Sequence, residues 1–280
     1  MQWWCAATAQ EWSWTWRAYP GVWLMVAFLA VWYLRSLGGG GAEGRRGGAV
    51  PGRYPVTFFL GLLVLWGMFD WPVGTLGTGY LLSVHTTQYV VLTLVAMPLL
   101  LAGVPPRAWP APDSGLAARL LRGLGSPVLG LGLYTVAMVV THIPAITDAL
   151  RQSQLGSFGV DMLWLAGGFA LWWPVLAPAG YVRMSPPLRI GYLFLATIPP
   201  MIPAGFMVFA QYPLYSLYEL APRVAEISSG ADQKTAGVIM KGASDPLIWI
   251  AMIVIFAQWR RAEGDADRPT IPVPAQESPR

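Results

Sequence analysis

Charge is what this sequence has least of. Asp, Glu, Lys and Arg make up 11% of its 280 residues, against roughly 25% in an ordinary soluble domain. So thin a polar coat excludes a water-soluble enzyme and a disordered chain. Cysteine is nearly absent: with Cys5 alone, no intramolecular disulfide can form and no CxxC redox or zinc motif exists. Histidine is limited to His85 and His142. No Ser/His/Asp arrangement, phosphate loop or paired catalytic carboxylates is evident, and the chain reads as non-enzymatic. Residues 1–17 lack a basic start followed by a small-residue cleavage site, so no signal peptide is expected there. Cys5 has no apolar stretch before it, which argues against a lipoprotein.

What the chain does have is apolar length. It is 55% hydrophobic, with a mean hydropathy of +0.49. A bilayer span needs about 20 apolar residues, and apolar runs occupy 22–37, 56–73, 79–104, 127–143, 160–176, 190–210 and 235–259. The expected fold is therefore an all-α polytopic bundle of seven transmembrane helices. Residues 1–21 form an extracytoplasmic segment, 22–259 the membrane domain, and 260–280 a cytoplasmic tail whose prolines and charges read as disordered. The segment 116–124 reads as a short amphipathic helix on the inner surface. Most of the 15 tryptophans read as anchors at the headgroup level.

The net charge of +4 is topological and does not point to nucleic acid. Arg35, Arg45, Arg46 and Arg53 lie between the first two runs, Arg107, Arg119 and Arg122 between the third and fourth, and Arg183 and Arg189 between the fifth and sixth. Arg260, Arg261, Arg268 and Arg280 follow the last. Basic residues collect on the cytoplasmic side, so the N-terminus is expected outside and the C-terminus inside, with the lipid bilayer as the main surroundings.

Ionisable groups inside spans are costly and point to function. His85 falls about 9 Å below the outer start of the third run at 1.5 Å per residue. His142 falls near the outer end of the fourth, so the two histidines share a depth. Gln88 and Tyr89 share a helix face with His85, and Met138 lies one turn from His142. Asp70 and Asp161 mark outer ends of the second and fifth runs, and Lys241 stands one turn from Asp245, within pairing reach. Three readings compete for the histidines. They could bind copper with thioether help, since soft ligands select Cu(I). They could ligate a b-type haem from adjacent helices. Or each could simply hydrogen-bond a neighbouring helix.

The stretch Ser83-Val84-His85-Thr86-Thr87-Gln88-Tyr89, running into Val95-Ala96-Met97-Pro98-Leu99-Leu100 and Gly103-Val104-Pro105, resembles the third-span signature of the CtaG family. Later segments resemble it in the same order: Thr141-His142-Ile143-Pro144 with Asp148-Ala149, Ala166-Gly167 through Trp172-Trp173-Pro174, Tyr192-Leu193-Phe194 with Pro213-Leu214-Tyr215, and Asp232-Gln233 through Met240. That resemblance implies a seven-helix factor that helps to assemble a haem-copper cytochrome c oxidase, with oxidase subunits as partners and copper handled at the outer face. It implies His85 and His142 as metal ligands. The family pattern carries a second histidine where this chain has Tyr89, and a histidine-rich entry to span five where it has Ser157 and Asp161. Asp161, Tyr89 or Met138 are then the substitute ligands. A haem-b electron-transfer protein and a cofactor-free subunit of a respiratory complex are the alternatives.

Overall fold

The computed structural model describes residues 2–38, 50–182, 184–224 and 226–266. Arg45, Arg46, Arg183, Arg268 and Arg280, and the tail beyond residue 266, lie outside the described residues. In chain order the helices are α1 (Pro20–Gly38), α2 (Arg53–Phe69), α3 (Val73–Gly79), α4 (Leu82–Val91), a π-helical turn (Leu92–Ala96), α5 (Met97–Gly103), α6 (Gly115–Leu124) and α7 (Pro127–Val140). There follow α8 (Pro144–Arg151), α9 (Gln154–Leu176), α10 (Pro186–Ala196), α11 (Met201–Phe209), α12 (Ser216–Glu219), α13 (Ser229–Gly242) and α14 (Ser244–Ala266). No strand forms among the described residues, and the fold is all-α. Five helical segments are long and apolar enough to cross a membrane: Pro20–Leu37, Leu82–Gly103, Gln154–Leu176, Pro186–Phe209 and Ser229–Gly264. Two bent pairs, α2 with α3 (49°) and α6 with α7 (81°), raise the number to as many as seven if each is one span.

Local chemistry sets the element boundaries. Pro127, Pro144 and Pro186 stand at helix starts, where the missing N–H costs nothing. Ser126, Ser153 and Ser228 each cap a helix by accepting from the third residue on, as short hydroxyl side chains do. The sequence puts His142 inside a helix running to residue 143. Instead α7 stops at Val140, and His142 sits in the turn before α8. The cause is Pro144, which pushes Ile143 out of the helical region to φ −73°, ψ 119°. Pro199 and Pro200 likewise break the sixth run between α10 and α11, and α14 continues to Ala266, beyond the expected end at residue 259.

Pro98 shapes the third run in a different way. It has no N–H for the carbonyl four residues back, and the helix widens into a π turn just before it. There the Met97 N–H reaches Leu92 O, so the Thr93 carbonyl is left for the Trp172 indole, which donates to it at 2.9 Å. This bond ties α9 to the broken helix in the bundle centre. Trp172→Phe keeps an aromatic ring but orphans that carbonyl, and should lower stability by about 1–3 kcal/mol, visible as a lower melting temperature in detergent. Beside it α2 and α5 approach closely: a Cβ on Gly103 would stand 2.4 Å from the Phe58 backbone nitrogen. Small residues at such crossings let helices touch backbone to backbone.

The outside of the bundle is apolar. Leu24, Phe28, Leu63, Val128, Val136, Phe206, Phe209 and Ile253 are all largely exposed, a surface suited to lipid. The amphipathic α6 forms where the sequence places it, turned sharply from α7. The two ends of the bundle differ. At one end lie Arg35, Arg53, Arg107, Arg119, Arg122 and Arg260. At the other, the N-terminal segment folds across the helix ends: Trp3 N–H donates to Gln154 (2.7 Å), Ala7 N–H to the Arg151 carbonyl (2.9 Å), and Tyr80 Oη to the Gln10 carbonyl (2.8 Å).

Candidate metal site

Beneath that N-terminal segment the two histidines meet. His85 comes from the first turns of α4 and His142 from the turn after α7. Both are buried, and their rings stand edge to face with centres 5.6 Å apart. The depth argument from sequence thus ends in direct contact. Trp164 of α9 packs against both, 4.8 Å from His85 and 6.4 Å from His142, and Tyr89 packs 4.8 Å from His142.

The hydrogen-bond network fixes the tautomers. Tyr218 has one hydroxyl proton, which it donates to the Gly77 carbonyl at 2.7 Å. Towards His85 Nδ1, 2.9 Å away, its oxygen can therefore only accept, so Nδ1 carries the hydrogen. His142 Nδ1 lies 2.8 Å from the Met138 carbonyl, which accepts only, so that nitrogen also carries its hydrogen. In a neutral imidazole the other nitrogen then keeps a lone pair. Both Nε2 atoms are buried, and among the described residues neither has a hydrogen-bond partner. A buried polar atom left unpaired costs about 1–3 kcal/mol, and here two such nitrogens belong to adjoining rings.

This donor set fits a soft, low-coordinate ion. Imidazole–metal bonds of about 2 Å place two ring centres about 6 Å apart when they share an ion, close to the separation present here. Among the described residues no group of three or more His, Cys, Asp and Glu could hold a metal, so the histidines stand as a pair. Met138 is fully buried in the same core and contributes its carbonyl to His142. Asp161 is committed elsewhere: one oxygen accepts from Arg151 at 2.8 Å and the other from the Trp4 indole at 2.7 Å. Gln88 turns away from the histidines and donates to the Met68 carbonyl at 2.5 Å. Asp70 accepts from the Trp23 and Trp66 indoles. Lys241 pairs with Asp245 at 2.9 Å, as its spacing suggests, and also holds the Thr197 carbonyl freed where α10 breaks.

The residues that organise the pair show no such role in the sequence, although Asp148 and Asp232 fall in the family-like segments. Arg151 is fully buried, its guanidinium 4.7 Å over the Trp164 ring. Trp164 donates to Thr141 Oγ1 at 2.9 Å, holding the turn that carries His142. Asp232 fixes the start of α4, accepting from Leu82 N–H at 2.6 Å and from the Ser83 hydroxyl. Asp148 accepts the Ser216 N–H at 2.9 Å, orienting the segment that brings Tyr215 and Tyr218, and burial raises its carboxyl above the usual value. The available signal for Arg151 was its place: an arginine at the end where basic residues are few. Beside the pair lies an apolar cavity of about 320 Å³, bounded by His142, Ile143, Pro203, Phe206, Met207 and Tyr215.

No curated protein and no solved structure matches this chain. A family model does: that of the cytochrome c oxidase caa3 assembly factor, over residues 28–262. The match takes in every helix from most of α1 to most of α14, both histidines, Trp164, Tyr218 and Asp232, and by it the chain belongs to the CtaG family of caa3 oxidase assembly factors.

Proposed function

We propose that this assembly factor handles copper for its oxidase, taking the ion between His85 and His142 at the outer face of the membrane. The family supplies the role in oxidase assembly, a task that requires no turnover by the chain itself. The observation that carries the copper reading is the pair of buried Nε2 lone pairs with no hydrogen-bond partner. Each is held in the metal-binding tautomer by a bond at Nδ1, the usual arrangement for a ligating imidazole. Two neutral nitrogens in an apolar setting favour a soft ion that tolerates few ligands, with Met138, one turn before His142, and Tyr89, whose ring packs 4.8 Å from it, as candidate further donors. The outer location rests on the arginines gathered at the opposite end of the bundle. The cavity beside His142 gives the ion or its acceptor an approach, because His142 is the more accessible of the two, at 4% against 0%.

The same histidines could flank a haem only if a porphyrin-wide gap opened where Trp164 and Tyr89 now pack. The copper reading is therefore preferred. Full-length protein in detergent, loaded with Cu(I) and desalted, should retain about one ion per chain and show no Soret band. His85→Ala and His142→Ala should each abolish retention while eluting as the wild type does on gel filtration. Retention unchanged in both variants would refute the site, and a Soret band would return the histidines to haem.

A further inference from the structure

We propose that Arg151 is a charge-selectivity residue, whose buried guanidinium sets the two-histidine site to accept a monovalent ion and to reject divalent ones. This inference rests on the copper reading and adds a residue and a rule to it. Arg151 closes α8 with its side chain 1% exposed. Its charge is only partly neutralised. Nη1 bonds Asp161 at 2.8 Å, while Nε and Nη2 are buried without any acceptor. The guanidinium carbon lies 4.7 Å from the Trp164 ring centre, and that ring lies 4.8 Å from His85. Arg151 and His85 therefore pack against one indole, which brings a fixed positive charge close to the imidazoles. Asp161 shares its charge with a second donor, the Trp4 indole, at 2.7 Å, so it offsets the guanidinium only in part.

Two physical consequences follow for a cation entering there. Repulsion by a fixed charge grows in proportion to the charge of the ion. Desolvation into an apolar interior grows with its square, and the Asp161 carboxylate is already engaged by Arg151 and Trp4. A monovalent ion with strong imidazole bonds can meet both costs, whereas a divalent ion with only two neutral ligands meets them poorly. Two neutral imidazoles in an apolar setting already disfavour a divalent ion, and the fixed charge of Arg151 adds to that discrimination.

The test uses the full chain in detergent and measures Cu(I), Ag(I) and Zn(II) dissociation constants by chelator competition. Removing Arg151 alone would strand Asp161, so the informative variant is R151M/D161N, which neutralises both members and leaves a side-chain amide oxygen to accept from the Trp4 indole. Arg151→Lys keeps the charge and serves as the conservative control. In R151M/D161N, Zn(II) affinity should rise by at least about tenfold. Cu(I) and Ag(I) affinity should rise by only about the square root of that factor, since the field acts on half the charge. R151K should discriminate as the wild type does. Equal factors for mono- and divalent ions, no change in Zn(II), or a Zn(II) gain that survives His85→Ala and His142→Ala would each overturn the role of Arg151 and leave the copper reading standing. A wild type that holds neither Cu(I) nor Ag(I) would overturn both.

Discussion

Asp161→Ala should destabilise the protein by about 3–5 kcal/mol, the cost of stripping a buried ion pair of one partner. The Arg151–Asp161 bridge is almost fully buried on both sides, at 1% and 4% exposure. Without the carboxylate, the guanidinium keeps one distant hydrogen bond, to the Ser157 carbonyl at 3.5 Å, and its packing over Trp164, while Nε and Nη2 already lack acceptors among the described residues. The Trp4 indole loses its acceptor in the same step. Trp4 is packed against Phe69 and Phe158, so the N-terminal segment loses its central anchor over the histidine site. The expected readout is a large fall in melting temperature in detergent, together with new protease cuts in residues 2–19. R151M/D161N should regain most of the loss, because a buried pair replaced by neutral groups of similar volume is tolerated far better than a pair cut in half. A D161A protein that melts within about 1 kcal/mol of the wild type would show that the bridge contributes little to stability.

The ease with which the helices are read, and the difficulty with their ends, have one physical origin. Apolar length is a property of each segment alone, so the hydropathy runs fall on the helices that carry the bundle. Where a helix bends or stops depends on what satisfies its backbone. Pro199 and Pro200 announce their break in the sequence, but the short α3 and α8 read as linkers because neither has the length of a span. The shared depth of His85 and His142 is legible because depth follows from topology and rise per residue, but their meeting depends on helix order and rotation, which the sequence does not carry. What surrounds them is not legible either. Tyr218 lies 133 residues from His85 in the chain, and its bond to that ring arises only when the segment around α12 folds back over α4 and α13. Arg151 escapes notice for a related reason. A linker arginine ordinarily lies in water, and only the N-terminal segment laid over it makes this one a buried charge. Asp161 draws attention as a substitute ligand because its position in the chain is right, yet a carboxylate goes to the strongest donor within reach. Here that donor is a guanidinium.

A strain carrying His85→Ala and His142→Ala together should assemble a caa3-type oxidase that is poor in copper, with activity reduced at least about tenfold and haem content little changed. The reasoning starts from what the substitutions remove. Two imidazoles leave, and with them two lone pairs that no other group among the described residues uses. The bonds that shape the site from outside remain: Tyr218 still donates to Gly77, Trp164 to Thr141, and Asp232 still caps α4. Membrane insertion depends on the apolar runs and on the arginines at the far end, which the substitutions do not touch. The variant should therefore accumulate at wild-type levels in the membrane, and a loss of oxidase activity would report on the ion alone. Excess copper in the medium separates the two ways in which an assembly factor can act. If the chain supplies the ion, high copper should restore part of the activity by mass action at the oxidase itself. If the chain assists through protein contacts only, the double variant should support normal oxidase copper at every concentration, because the lipid-facing and loop surfaces that a partner would grip are unaltered. Normal oxidase copper in that strain would thus remove copper from the function of this protein while leaving its place in the family intact.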